Sequence, residues 1–183
     1  MNNMTDKVAT FFSKKVEYNS LSNFWEGDIE VYGREYESGE HAFHGEKYFI
    51  IGSLCEDENR QKELLNYAES FLKPSVWQVK VVKQMGGKNG LALTEDELEI
   101  WSEVCEKVQV EICKSKYEKY EVVRNDLKNT GNKILIHPAM RCSEDKVKYR
   151  IWEGKAVLGE DGEIQVLGGN KLGFIWMYIR DSC

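Results

Sequence analysis

The chain of 183 residues has only two prolines and no low-complexity stretch, which excludes a disordered or collagen-like polypeptide. Its five cysteines, Cys55, Cys105, Cys113, Cys142 and Cys183, are odd in number and contain no C-x-x-C pair. That excludes a disulfide framework or zinc knuckle and fits reduced thiols in a cytoplasmic protein. Positive charge is not in excess. A net charge of −6 and a pI near 5.3 argue against broad sliding on nucleic acid, while leaving room for a local basic phosphate pocket. No apolar run approaches the roughly 20 residues of a membrane helix, and "MNNMTDKVATFF" lacks the apolar core of a signal peptide. We therefore expect no membrane partner, and a single domain over residues 1–183 with a core of its own.

What is present reads as mainly α within an α+β class, with a small N-terminal β element. "VATFFSKKVEY" (8–18) reads as a strand and its exit, and "DIEVYGREYES" (28–38) as a hairpin turning at Gly33. Helical patterning begins near Gly39 and continues over 57–72. Pro74 is placed to open a short helix at its first position. The strongest helix signal spans Glu95 to Lys116. Thr94 and Glu97 form a capping box, and Leu98, Trp101, Cys105, Val108 and Ile112 recur at helical spacing. A further helix over 117–128, a short strand over 132–137 and a glycine-rich turn leading into an apolar helix (168–180) complete the pattern.

Two of the three histidines fall in "GEHAFHGEKYF" (39–49), beside two glutamates and a lysine. A zinc H-E-x-x-H motif needs histidines at i and i+4. Here His41 and His44 are three apart and the glutamate precedes the first, so no metal is expected. On a helix at about 100° per residue, Glu40, His44 and Lys47 share one face. Such a face suits a pocket wall, although ordinary i,i+3 and i,i+4 surface pairs would read the same way.

Several separated pieces resemble the NADAR (YbiA-like) family. "LSNF" (21–24) is similar to its F-S-N-F entry motif. "GEHAFHGEKY" is similar to its S-E-H-x-F-Q-x-x-K-F core, with Glu40, His41, Phe43, Lys47 and Tyr48 at matching positions. Met85-Gly86 resembles a later M-G, Trp101 a tryptophan of the long helix, and "GGNKLGFIWMYIR" the closing G-x-N-x-L-G-x-x-L-M-x-x-R.

The resemblance implies a YbiA-like helical domain and a cofactor-free hydrolase that cleaves N-glycosidic bonds at a ribose carbon. Breaking the C1–N bond builds positive charge on the ribose, which Glu40 could stabilise while taking a proton or orienting water. The resemblance implies that Lys47 attacks the sugar as a neutral amine and forms a Schiff base, which requires burial or a neighbouring positive charge to lower its pKa. His41 joins these as a candidate catalytic residue. Candidate substrate contacts are Asn23, Phe24, His44, Trp101, Trp152, Gly168, Asn170 and Gly173. Glycines before a helix could offer N–H groups to a phosphate. Asn170 could bind ribose or simply cap the helix. Phe24 and Trp152 could stack on a base. Trp101, in an apolar stripe, reads first as core, as do Trp25, Trp77 and Trp176. Arg180 reads as structural.

The chain departs from the family pattern in places. The usual glutamine is His44, the arginine after M-G is Gly87, L-I-E reads Leu135-Ile136-His137, and D-x-x-W-G reads "YRIWE" with Tyr149 and Glu153. Arg141 to Arg150 looks like a basic insertion. Glu40 and Lys47 remain, which points to divergent specificity and not to a dead enzyme. The matched motifs, the possible phosphate turn and the basic insertion together make the expected partner an ADP-ribose-bearing substrate, foremost ADP-ribosylated guanine in DNA or RNA. The alternatives are a phosphorylated ribosylamino-pyrimidine of riboflavin synthesis, or non-catalytic ADP-ribose binding.

Overall fold

A computed structural model describes residues 4–182, apart from the side chain of residue 5. In chain order its elements are α1 (Met4–Lys7), β1 (Val8–Thr10), a 3-10 turn (Asn19–Leu21), β2 (Glu26–Val31), β3 (Arg34–Ser38) and α2 (Gly39–Leu54). They continue with α3 (Glu58–Glu69), α4 (Val79–Met85), α5 (Glu95–Lys119), α6 (Glu121–Asn129) and β4 (Ile134–Ile136). The last are α7 (Glu144–Val147), β5 (Lys155–Leu158), β6 (Ile164–Leu167) and α8 (Lys171–Ser182). This is the α+β, mainly helical class that the patterning predicts. The elements fold as two compact units, residues 23–119 and residues 1–22 with 120–183.

The unit of residues 23–119 is built on α2. The β2–β3 hairpin feeds it directly, turning at Tyr32 and Gly33 with positive φ at both, the geometry of a two-residue hairpin turn. Ser38 ends β3 and caps α2, its hydroxyl accepting from the His41 amide at 3.3 Å. The start of α2 lies tight against its neighbours. A Cβ on Gly39 would sit 2.9 Å from Asn23 Oδ1 and 3.0 Å from Ile112. Around α2 pack α3, α4, α5 and the hairpin, so a helix that reads as half polar is buried along much of its length.

The predicted capping box is present. Thr94 N–H donates to Glu97 Oε2 at 2.8 Å, and Glu97 N–H to Thr94 Oγ1 at 3.2 Å. The Arg60 guanidinium then clamps Glu97 with two bonds of 2.8 Å and reaches the Ala92 carbonyl at 2.6 Å. Pro74 does not open a helix. Ser70 and Ser75 hold the segment in an irregular turn, with Val76 N–H on the Ser70 carbonyl and Trp77 Nε1–H on Ser70 Oγ, and α4 starts only at Val79.

In the second unit β1 pairs in parallel with β4, Val8 to Ile134 through Thr10 to Ile136. The strand expected over 8–18 ends after three residues because its partner is only three residues long. Helix α8 packs on β4, its Trp176 fully buried and donating to the Leu21 carbonyl at 2.8 Å. Arg180 bonds Thr130 Oγ1 and the Lys133 carbonyl, a structural tie as its position suggests. The antiparallel β5–β6 hairpin was not expected from the sequence. Its strands are only half-buried, so neither shows clear apolar alternation.

Candidate active site

Three polar side chains on α2 line one face of the helix, as the spacing predicts. Glu40 and Lys47 are each only 7% exposed, and His44 lies between them along the helix axis. Glu40 Oε1 is 3.2 Å from His44 Nε2. A carboxylate oxygen only accepts, so the ring nitrogen donates. Burial pushes the Lys47 amine down to about 8. Lys47 Nζ donates to the Gly86 carbonyl and stands 4.7 Å from the centroid of the Tyr48 ring. These are the conditions a lysine needs in order to be partly neutral near physiological pH.

The loop after α4 is the other wall of this site, and three side chains of α2 and α3 fix it through its carbonyls. Tyr67 donates to Met85 at 2.7 Å, Lys47 to Gly86, and Tyr48 to Leu91 at 2.9 Å. Gly86 is also where His44 rests. A Cβ there would lie 2.0 Å from His44 Cγ. The M-G pair in the sequence thus marks a glycine that touches two of the candidate polar groups at once.

His41 differs from the expectation. It is 1% exposed, and both ring nitrogens are engaged. Nε2 lies 2.8 Å from the Trp77 carbonyl and Nδ1 2.8 Å from Ser38 Oγ. Since a carbonyl cannot donate, Nε2 carries the proton and Nδ1 accepts from the hydroxyl. That fixes His41 as a clamp between the start of α2 and the Ser75–Gln78 turn, with no free nitrogen for a substrate.

Asn23 is likewise engaged. Its carbonyl accepts from Glu40 N–H at 2.9 Å, and its side chain makes a reciprocal amide pair with Gln109 at 2.7 and 3.0 Å. It therefore holds the residue that carries the Glu40 carboxylate. Gln109, on α5, was not singled out by sequence reasoning. The available signal was a glutamine at helical spacing from Cys105, Ile112 and Cys113. Phe24 is half-buried with Lys83 Nζ 6.0 Å from its ring centroid, and Trp101 meets Phe43 edge-on at 5.0 Å. Trp101 thus contacts the residue next to His44 while remaining partly exposed.

A second missed residue is the acid Glu46. It is fully buried, bonded by Tyr36 at 2.8 Å and by Arg34 at 3.0 and 3.2 Å. Burial raises its pKa despite both partners. It turns toward the β2–β3 hairpin, about 100° round α2 from Lys47, and supports that hairpin.

The closing motif lies in the other unit and is held from within it. Asn170, fully buried and at φ 44°, accepts from His137 N–H through Oδ1 at 3.0 Å and donates to the Leu135 carbonyl through Nδ2 at 2.8 Å. Its carbonyl accepts from Phe174 N–H, so it also caps α8. The expected phosphate turn has its amides occupied. Gly169, Asn170 and Lys171 donate to the carbonyls of Arg150, Glu153 and Ile151 at 2.7, 3.0 and 3.1 Å. Gly168, at φ 80°, and Gly173, where a Cβ would meet the Leu135 carbonyl at 2.3 Å, are demanded by packing. These residues lock β4, α8 and the segment after α7 together. The amides of Gly169, Asn170 and Lys171 are therefore not free for an anion. Trp152 is half-buried nearby in sequence, and Tyr149 is 87% exposed.

Among the described residues no helix is long and apolar enough to cross a membrane, and no three His, Cys, Asp or Glu side chains gather around a point that could hold a metal. Comparison with known proteins gives a consistent picture. The chain is 24% identical over 179 residues to N-glycosidase YbiA of Escherichia coli K12, an alignment covering 98% of this chain and 90% of that protein. The same figures hold for N-glycosidase YbiA of Shigella boydii. The solution structure of the E. coli protein YbiA superposes with a TM-score of 0.60 at 24% identity, over 97% of this chain and 84% of that one, which shows a shared fold. Residues 10–183 match the NADAR domain family over nearly the whole chain, and the protein belongs to that family.

Proposed function

We propose that this protein is an N-glycosidase that removes ADP-ribose from ADP-ribosylated guanine in nucleic acid. The observation that carries the reading is Lys47, a buried lysine whose amine is pushed down to about 8, on the same helix face as a buried glutamate. The relatives named N-glycosidase YbiA support the reaction class.

In the reaction we propose, the neutral Lys47 amine adds to C1, and the base departs with the C1–N electron pair and takes one of the two amine protons. Glu40 carries the other amine proton to the ring oxygen as the C1–O bond of the sugar ring breaks. The resulting imine joins Lys47 Nζ to the sugar. Water then adds to C1, restores the free amine and releases ADP-ribose. A pKa near 8 leaves part of the amine neutral at physiological pH, as attack on C1 requires.

The test uses an oligonucleotide carrying one ADP-ribosylated guanine, read by mass spectrometry with and without borohydride. Wild type is expected to release ADP-ribose and, with reductant, to retain a sugar adduct on Lys47. Glu40→Ala and Lys47→Met are expected to release none. An unchanged oligonucleotide together with cleavage of a phosphorylated ribosylamino-pyrimidine would replace the substrate class. Tight ADP-ribose binding without cleavage of either would replace the reaction.

A further inference from the structure

The family's glutamine is replaced in this chain by His44, and the geometry points to what the replacement preserves. Nε2 of His44 donates to Glu40 Oε1 at 3.2 Å. The other nitrogen, Nδ1, is buried and has no hydrogen-bond partner. It faces Gly86, where a Cβ would lie 2.2 Å away. Other elements meet the ring with the aromatic Phe71, at 6.4 Å between centroids, and with the Gly86 backbone, neither of which titrates. The titratable groups beside it, Glu40 and Lys47, are on its own helix.

A doubly protonated ring would place a second N–H against the Gly86 Cα in a buried site with no acceptor. A buried N–H without a partner is among the rarest features of folded proteins, whereas an under-used acceptor is tolerated. We propose that His44 is a positioning residue locked as the neutral Nε2–H tautomer by its seat on Gly86. It aims the Glu40 carboxylate and leaves the second carboxylate oxygen to act. A glutamine amide offers the same kind of neutral N–H donor, so the histidine substitutes donor for donor and adds no proton switch. Gly86 also accepts from Lys47, so one glycine keeps the acid and the amine in register. Its own backbone, at φ −77° and ψ −4°, is open to any residue. The ring of His44 is therefore the reason for a glycine there.

The kinetic arm of the test rests on the proposed N-glycosidase reading, and the spectroscopic arm does not. Nitrogen-15 spectra of the histidine rings in the free protein, with His44 assigned by its loss in His44→Gln, are expected to show a bare Nδ1 and a protonated Nε2 from pH 6 to pH 8. An imidazolium at pH 7, or a protonated Nδ1, overturns the proposal whether or not any substrate is cleaved. In turnover, His44→Ala is expected to lower kcat about a hundredfold with little change in KM, as for a misplaced reacting group. His44→Gln is expected to recover most of that loss with the wild-type pH profile. Equal losses in the two variants would overturn it. Gly86→Ala is expected to be severe in wild type and nearly silent when added to His44→Ala, because the added methyl then meets no ring. Additive losses would show that Gly86 serves some purpose other than seating His44.

Discussion

Replacing Lys47 with methionine is expected to stabilise the fold while abolishing the reaction. The lysine is 7% exposed, and burial moves its amine from an ordinary value near 10.5 to about 8. That displacement corresponds to about 3 kcal/mol of unfavourable burial when the amine is charged. The sign follows from linkage. Between pH 8 and 10.5 the unfolded chain holds a proton that the folded chain has released, so the penalty is full below pH 8 and fades as pH rises. Methionine fills similar volume without the charge, but it leaves the Gly86 carbonyl without its donor, which costs about 1–2 kcal/mol. The net expectation is a gain of about 1–2 kcal/mol at pH 7, read as a higher urea midpoint at unchanged slope. By pH 9.5 wild type should recover about 2 kcal/mol relative to the variant. A variant less stable than wild type at pH 7, with a difference that does not move with pH, would refute the argument that Lys47 is held against its preference for charge. Turnover supplies a companion reading. An amine with a pKa of about 8 is about one-tenth neutral at pH 7 and about nine-tenths at pH 9, so the single-turnover rate should rise nearly tenfold across that range.

Two other perturbations test the frame around the site. Arg60→Ala should cost about 1 kcal/mol after allowance for solvent screening, because it removes the two guanidinium bonds to Glu97. Arg60 holds the Glu97 carboxyl below its ordinary range, so the difference should be present at neutral pH and disappear on acidification through that range in a denaturant series. Asn170→Ala should lower stability by about 2–4 kcal/mol in urea unfolding, since it strands the His137 amide and the Leu135 carbonyl in a buried place.

The sequence made the helices legible where local chemistry dominates. Thr94 and Glu97 announce the start of α5, and of the apolar recurrence from Leu98 to Ile112 the structure buries Val108 and Ile112 while leaving Leu98 exposed. The shared face of Glu40, His44 and Lys47 followed from helical period alone. Other features depended on contacts between residues far apart in the chain. Pro74 looks like a helix start, but Ser70 and Ser75 bind the following backbone and delay α4 to Val79. The glycine-rich turn before α8 looks like an anion cradle, yet carbonyls from residues 150–153 take its amides. Gln109 and Glu46 act through Asn23 and Tyr36, pairings separated by 86 and 10 residues that no local pattern encodes.

The two histidines of the motif show most plainly how environment assigns a role that identity cannot, and they allow a decisive comparison. His41 has a partner on each nitrogen, the Trp77 carbonyl and the Ser38 hydroxyl, and is 1% exposed. His41→Leu keeps the bulk but leaves the Trp77 carbonyl without its donor and the Ser38 hydroxyl proton without its acceptor, at a cost of about 2–4 kcal/mol. The turn of residues 75–78 loses its tie to α2, so protease cutting there should increase along with the fall in the urea midpoint. Turnover per folded molecule, measured well below the unfolding transition, should fall far less than for His44→Ala. If His41→Leu kept the wild-type midpoint and lost turnover by orders of magnitude, the imidazole would have to exchange protons with substrate, and the two hydrogen bonds that now define it as a clamp would have to open during the reaction.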